Sequence, residues 1–290
     1  MLKWLALLLM TIDHIGYYFY GQIPDFLYYT FRIVGRLAFP IFAFYIVKGF
    51  TRTRSPFRYL GRMAFWAVIS HLLISSASMF AQKTDSLWNP EWTNVLVLFT
   101  FAITMLLGYD LAMRSYRDMI SSMTLVCNSP VKLKDSRYDV KVNLGGISLS
   151  PNVGIAVGIT IILFSFWSVY ILKSDYEFYG LLTVLFMYIS YNKDDDCLYL
   201  TNLWLLFFIL NTGYILLALI AGGNVVFSLM QAFSMASIFL ISYLGKNEKK
   251  PKSIWKYFFY IYYPLHMALL VILSHYWREI LSFFEEILVR

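Results

Sequence analysis

The first part of the chain carries ionisable side chains inside two apolar stretches. Asp13 and His14 lie near the centre of LKWLALLLMTIDHIGYYFYG, and Arg32 and Arg36 lie within FLYYTFRIVGRLAFPIFAFYIVKGF. A charged side chain costs about 3 kcal/mol or more at the centre of a bilayer, so such residues normally face a protein interior and indicate a functional path. Histidine exchanges protons near neutral pH, and arginine stabilises negative charge. These residues therefore predict a chemical site at membrane depth.

Two further histidines, His71 and His266, fall near the middle of later apolar stretches. His266 follows Pro264, whose missing backbone N–H frees a carbonyl group and bends a helix. A lone buried histidine such as His71 is usually a hydrogen-bonded core residue. We therefore place His266, and not His71, in the candidate site.

The composition predicts an all-α polytopic membrane protein. The chain is 59% hydrophobic and only 14% charged, whereas about a quarter of the residues of a soluble domain are charged. Gly and Pro separate apolar stretches that are each close to the ~20 residues a helix needs to cross hydrocarbon. We expect a single transmembrane helical domain over 1–275.

About nine transmembrane helices are predicted, with a cytoplasmic N-terminus. The spans are 3–21, 27–49, 63–80, 94–113, 152–172, 178–192, 199–220, 225–244 and 254–275. In this orientation most Lys and Arg residues fall in cytoplasmic segments, as the positive-inside rule requires. The net charge of +7 is explained in this way and predicts no nucleic-acid partner.

Two segments outside the spans have patterns of their own. Residues 276–290 place apolar side chains on one helical face and charges on the other, which predicts an amphipathic interfacial helix. The cytoplasmic loop 114–151 ends in an alternating stretch with Gly-Gly, which is typical of a β-hairpin. A solvated connector is the simpler interpretation of that loop.

A cluster of arginines follows the second predicted span in KGFTRTRSPFRYLGR. Guanidinium groups suit phosphate oxygens, so a phosphate-rich soluble cofactor is one interpretation. Anchoring at the cytoplasmic surface is the other, and charge alone favours it. The four residues are Arg52, Arg54, Arg58 and Arg62.

Three segments together resemble one family. LLLMTIDHIGYYF, FRIVGRLAFPIFAFYIVKGF with its continuation to SHL, and IYYPLHMALL are similar to the TraX-type conjugative (F-type) pilin N-acetyltransferases. The resemblance implies a multi-pass enzyme of the bacterial inner membrane. It further implies acetyl transfer from acetyl-CoA to the N-terminal amine of a pilin subunit, without a metal.

The resemblance gives the polar residues roles in acyl transfer. His14 is the candidate general base or nucleophile, oriented or kept basic by Asp13. Arg36, Arg32 or His266 would stabilise the oxyanion, and Arg52 and Arg54 with their neighbours would hold the nucleotide of acetyl-CoA.

Other functions remain open from the sequence. Asp13 and Arg36 could instead form a buried ion pair that fixes helix register. A proton-coupled secondary transporter would use the same midplane residues, although the sequence has no evident pair of broken helices. A noncatalytic pilin assembly factor is the third alternative.

Overall fold

A computed structural model describes residues 1–82, 94–126, 150–191, 196–245 and 253–289. Every regular element in these ranges is a helix, which confirms the all-α prediction. The helices are α1 Leu2–Tyr18, α2 Asp25–Gly35, α3 Ala38–Arg52, α4 Pro56–Gln82, α5 Val95–Val126, α6 Pro151–Ile171, α7 Glu177–Ser190, α8 Asp196–Ala221, α9 Val225–Ala232, α10 Ser237–Leu244 and α11 Ser253–Val289. A 3-10 turn, Phe233–Ala236, joins α9 to α10.

Seven helical stretches within the described ranges are long and apolar enough to cross a membrane, so the multi-pass class is confirmed. They correspond to α2 with α3, α4, α5, α6, α8, α9 with α10, and α11. The other two predicted spans are α1, with 17 residues, and α7, with 14. At 1.5 Å per residue these helices are about 26 and 21 Å long, shorter than the ~30 Å hydrocarbon core. Seven crossings, rather than nine, therefore meet the length requirement.

Several predicted boundaries differ from the structure. The span predicted to end at 113 continues as α5 to Val126, so the expected loop 114–151 begins as helix. The hairpin predicted at its end lies almost entirely outside the described residues. The segment 276–290 continues α11 without a break to Val289, and its interfacial placement stays a prediction.

The second predicted span is two helices rather than one. α2 ends at Gly35, α3 begins at Ala38, and Arg36 lies between them. Pro40 explains this break, because it has no N–H to bond the carbonyl of Arg36 four residues earlier. The sequence GRLAFP therefore places an arginine at a helix interruption inside the membrane.

Two glycines allow α1 and α2 to approach closely. A Cβ atom on Gly35 would overlap the side chain of Asp13, and one on Gly16 would lie 3.0 Å from Cβ of Phe31. Small residues at helix crossings in membranes permit such backbone contact. The glycines of IDHIG and RIVGR thus bring Asp13 against the end of α2.

Candidate active site

A cavity of about 1190 Å³ lies among α1, α2, α7, α8 and α9, with contributions from α4 and α11. Its wall includes Tyr20, which follows α1, Leu217 in the last turns of α8, and Ser274 of α11. In the predicted orientation, all three positions lie on the outer side. The ionisable side chains that line it are Asp13, His14, Arg32, Arg36, Asp175 and Glu177.

His14 lines this cavity and is backed by His266. Nδ1 of His14 lies 2.8 Å from Nε2 of His266, and Nδ1 of His266 lies 2.9 Å from the backbone oxygen of Tyr262. A carbonyl oxygen only accepts, so Nδ1 of a neutral His266 carries the proton and its Nε2 is an acceptor. Nδ1 of His14 must then donate. The network assigns a lone pair to Nε2 of His14, which can accept a proton.

Asp13 forms an ion pair with Arg32. Nη1 of Arg32 lies 2.8 Å from Oδ1 of Asp13, and both residues are buried, at 8% and 7% exposure. The alternative in which Asp13 pairs with Arg36 is therefore wrong, because the partner of Asp13 is Arg32. His266, not Asp13, is the hydrogen-bond partner of the His14 ring.

Arg36 retains free donors. Its Nη1 donates to the hydroxyl of Tyr176 at 3.2 Å, and its Cζ lies 4.7 Å from the centre of the Phe227 ring. Only 3% of the residue is exposed, and Nε and Nη2 have no hydrogen-bond partner among the described residues. A buried guanidinium in a cavity wall with unused N–H groups is arranged to bind an anion or a developing oxyanion.

The sequence did not indicate Asp175, which follows α6 in the short connection to α7. Lys173, Tyr176 and Glu177 in this connection have φ angles of 44°, 61° and 36°. Non-glycine residues rarely adopt such angles, and they persist where surrounding structure enforces them. The ring of Tyr176 stacks on Phe39 at 4.1 Å between centroids, which fixes the connection against α3. The segment KSDYE reads locally as an ordinary outer loop, so no sequence signal marks it.

Asp175 is an unusual acid in its surroundings. Asp175 is exposed to solvent through the cavity that it lines. The pKa of Asp175 is raised to about 7, mainly by loss of solvation within the cavity and also by the charge of Asp13, while Arg36 and Arg32 oppose the shift. Asp175 therefore changes charge near neutral pH.

The predicted cofactor arginines do not reach the cavity. Arg52, Arg54, Arg58 and Arg62 are exposed at the end of α3 and the start of α4, and none of them lines the cavity. Arg52 lies sixteen residues from Arg36, which is roughly 24 Å along a helix. The arginines and the histidine pair are therefore separate parts of the molecule.

His71 is buried at 5% exposure on α4 and does not line the cavity, which fits its assignment as a core residue. Within the described ranges, no group of three or more His, Cys, Asp or Glu side chains is placed to hold a metal ion. Among the residues that line the cavity, His14 is suited to proton transfer and Arg36 to the stabilisation of negative charge.

Comparisons with known proteins identify a family and a curated relative. A family model described as TraX protein matches residues 1–274. A curated relative from Dichelobacter nodosus, named probable fimbrial assembly protein FimC, serogroup H1, is 35% identical over 107 residues. That alignment covers 36% of this chain and 43% of the relative, less than half of its length. No solved structure matches the chain significantly. Because the family model covers nearly the whole chain, the protein belongs to the TraX protein family.

Proposed function

We propose that this protein is an acetyltransferase of the bacterial inner membrane. It would move an acetyl group from acetyl-CoA to the N-terminal amine of a conjugative pilin subunit. The observation that carries the proposal is the cavity shared by His14, whose Nε2 can accept a proton, and Arg36, whose Nη2 is unused. Acyl transfer to an amine requires these two functions together.

The proton path follows from the histidine pair. The amine nitrogen attacks the thioester carbonyl carbon, and its excess proton passes to Nε2 of His14. The proton on Nδ1 of His14 can then move to Nε2 of His266, which spreads the charge over both rings. When the carbon–sulfur bond breaks, the pair returns a proton to the departing thiolate. Each turnover thus leaves the histidines as they began.

Arg36 is the better candidate for the oxyanion. Nη1 of Arg32 is engaged by Asp13, whereas Arg36 has two nitrogen atoms without partners. His266 contacts His14 and does not line the cavity, so it acts as the positioning partner of His14. In this assignment Asp13 and Arg32 hold the α1–α2 packing that presents both His14 and Arg36.

Donor and acceptor would arrive from opposite sides. The exposed arginines after α3 are the candidate site for the nucleotide phosphates of acetyl-CoA at the cytoplasmic surface. The cavity reaches the other end of the bundle, where a pilin subunit held in the membrane would present its N-terminus. The name of the D. nodosus relative, a probable fimbrial assembly protein, is consistent with a pilin partner.

The test is intact-mass analysis of a pilin co-expressed with the wild-type protein or the His14→Gln variant. We expect one added acetyl group with the wild type and unmodified pilin with the variant. Equal acetylation by both would remove His14 from the mechanism. Unmodified pilin with a correctly inserted wild-type protein would reject the acetyltransferase.

A proton-coupled carrier is the second candidate, because interrupted helices are typical of carrier sites. The structure has two interruptions next to the cavity, at Arg36 and at Phe233–Ala236 after Gln231. Proton flux into vesicles that contain the purified protein, without acetylation of pilin, would favour this function over the enzyme.

A further inference from the structure

Asp175 is a carboxylate in the cavity wall without a close partner. It forms no ion pair within 4.0 Å and no hydrogen bond with other described residues. Asp13, in the same cavity, has Arg32 at 2.8 Å, whereas no such ion pair is formed by Asp175 or by Glu177. A carboxylate that lines a cavity without a cation within reach is free to accept N–H donors from a positively charged ligand.

Arg36 is a second charged residue of this cavity that forms no ion pair with a described residue. Its guanidinium is 97% buried and two of its nitrogen atoms have no partner, yet it does not pair with Asp175. Asp175 and Arg36 carry opposite charges, line one cavity and do not pair with each other. The acid can bind a positively charged group, and the arginine can bind a carbonyl oxygen. An amine acceptor and a thioester together present these two groups.

Resting on the proposed function, we infer that Asp175 is the binding site for the α-ammonium group of the acceptor chain. The carboxylate accepts N–H donors from the ammonium, which loses one proton to water in the cavity before it reacts. The resulting amine then attacks the carbonyl carbon, whose oxygen lies toward Arg36. Aromatic rings in the cavity wall, among them those of Tyr18, Tyr176 and Tyr214, add faces that favour a cation. The ligand class is a peptide with a free, protonated N-terminus.

The connection that carries Asp175 is held firmly enough to position a ligand. The backbone N–H of Ser174 donates to the oxygen of Val169 at 3.2 Å, and Ser174 is buried. On the other side, Tyr176 stacks on Phe39 and receives a hydrogen bond from Arg36. Both neighbours of Asp175 are therefore fixed, and rigid support is what a binding group requires.

The pKa of Asp175 shows an upward shift. Loss of solvation is its main cause, and the arginines nearby do not compensate. A bound ammonium group would lower this pKa, because an opposite charge within a few ångström favours the carboxylate. Binding of the acceptor and ionisation of Asp175 are thus coupled.

Peptide binding to the detergent-purified full chain tests the inference. The probes are a peptide that copies the N-terminus of the pilin used in the acetylation assay and the same peptide acetylated at its N-terminus. We expect the wild type to bind the free-amine peptide at least tenfold more tightly. Asp175→Asn should remove this preference and Asp175→Glu should keep part of it. The control is Asp25→Asn, which removes an exposed acid on α2 that does not line the cavity and should leave the preference unchanged.

The outcomes separate this inference from the enzymatic proposal. Equal affinity of the wild type for both peptides, no binding of either, or a preference that survives in Asp175→Asn would overturn the ammonium site. The wild-type comparison needs no substitution, so it holds even if a variant misfolds. If the wild type acetylates pilin and any of these results is found, the ammonium site is rejected and the enzymatic proposal stands. A preference that depends on Asp175 in a protein that acetylates nothing would keep the site and reject the enzyme. In the enzyme, Asp175→Asn should raise KM for pilin about tenfold and change kcat little.

Discussion

Nδ1 of His14 and Nε2 of His266 lie 2.8 Å apart, although 252 positions separate the two residues in the sequence. The contact joins α1 to α11, the first and last helices among the described residues. The hydrogen bond from His14 to His266 determines which nitrogen of His14 can accept a proton. The proposed reactivity of α1 therefore depends on the packing of α11 against it.

Replacement of either histidine tests the pair. His14→Gln should lower the acetylation rate about 10²–10⁴-fold, the usual contribution of a general base. His266→Gln should lower it less, because His14 keeps its reactive nitrogen but loses its hydrogen-bond partner. Rates come from the time course of pilin mass. His71→Gln, a change at a buried histidine outside the cavity, is the matched control, and a loss as large as that of His14→Gln would contradict the assignment.

The Asp13–Arg32 ion pair should behave as a coupled unit. Asp13→Asn leaves a buried guanidinium without its carboxylate, and the loss should be about 3–5 kcal/mol in the free energy of unfolding. Asp13→Asn with Arg32→Gln removes both charges and should be more stable than Asp13→Asn alone. Thermal unfolding in detergent measures both. Additive losses would show that the two residues do not interact.

Gly35 is expected to tolerate no side chain. Gly35→Ala would place a Cβ on the Asp13 side chain, so we expect a lower unfolding temperature and loss of activity together. Gly61→Ala on α4 is the matched control, because nothing lies within 4 Å of its added Cβ. This control should be neutral or gain up to about 1 kcal/mol from helix propensity. Equal behaviour of the two variants would argue against close α1–α2 packing.

Helical class and the membrane-spanning pattern were predictable because they depend on local hydrophobicity and length. The prediction that Asp13, His14, Arg32 and Arg36 share a site followed from depth, and the structure brings all four to one cavity. The pairing inside the site was not predictable. Helix depth favoured Arg36 as the partner of Asp13, whereas the packing of α1 against α2 gives Asp13 to Arg32.

The break before α3 and the position of Asp175 in the cavity are two further features that the sequence analysis did not predict. The sequence contained Pro40, but hydropathy alone joined the two helices into one span over 27–49. Asp175 lies between two predicted spans, where an acid is ordinary. Its place in the cavity results from contacts of Tyr176 with Phe39 and Arg36, which come from distant positions in the sequence.

Binding of the free-amine peptide should depend on pH through Asp175. Asp175 is neutral below about pH 7 and charged above it, while an α-amine, with a pKa of about 7.7–8.0, is charged below that range. Affinity should therefore be highest between about pH 7 and 8 and fall at acid pH as Asp175 takes up a proton. The groups whose charges act on Asp175 or respond to it are Asp13, Tyr18, Arg32, Arg36, Tyr176 and Tyr263.

Titration of peptide affinity from pH 5.5 to 8.5 checks this dependence. Asp175→Asn should lose the fall at acid pH, since the amide does not titrate. An unchanged fall in that variant would assign it to another group.

The arginines after α3 should govern the donor and not the acceptor. If they hold the phosphates of acetyl-CoA, Arg52→Ala with Arg54→Ala should raise KM for acetyl-CoA at least tenfold and leave affinity for the pilin peptide unchanged. Arg114→Ala is unsuitable as a control because Arg114 pairs with Asp110. The control is Arg52→Lys with Arg54→Lys, which keeps both positive charges and should raise this KM less. An unchanged KM would place the nucleotide elsewhere.

The carboxylate of Asp175 in the cavity wall has a consequence for the release of the acetylated product. Acetylation converts a charged ammonium group into a neutral amide, so the chain that has reacted no longer offers a cation to the carboxylate. Reaction would thereby weaken the contact that held the substrate, and an excess of acetylated pilin in the membrane would compete poorly with chains still to be modified.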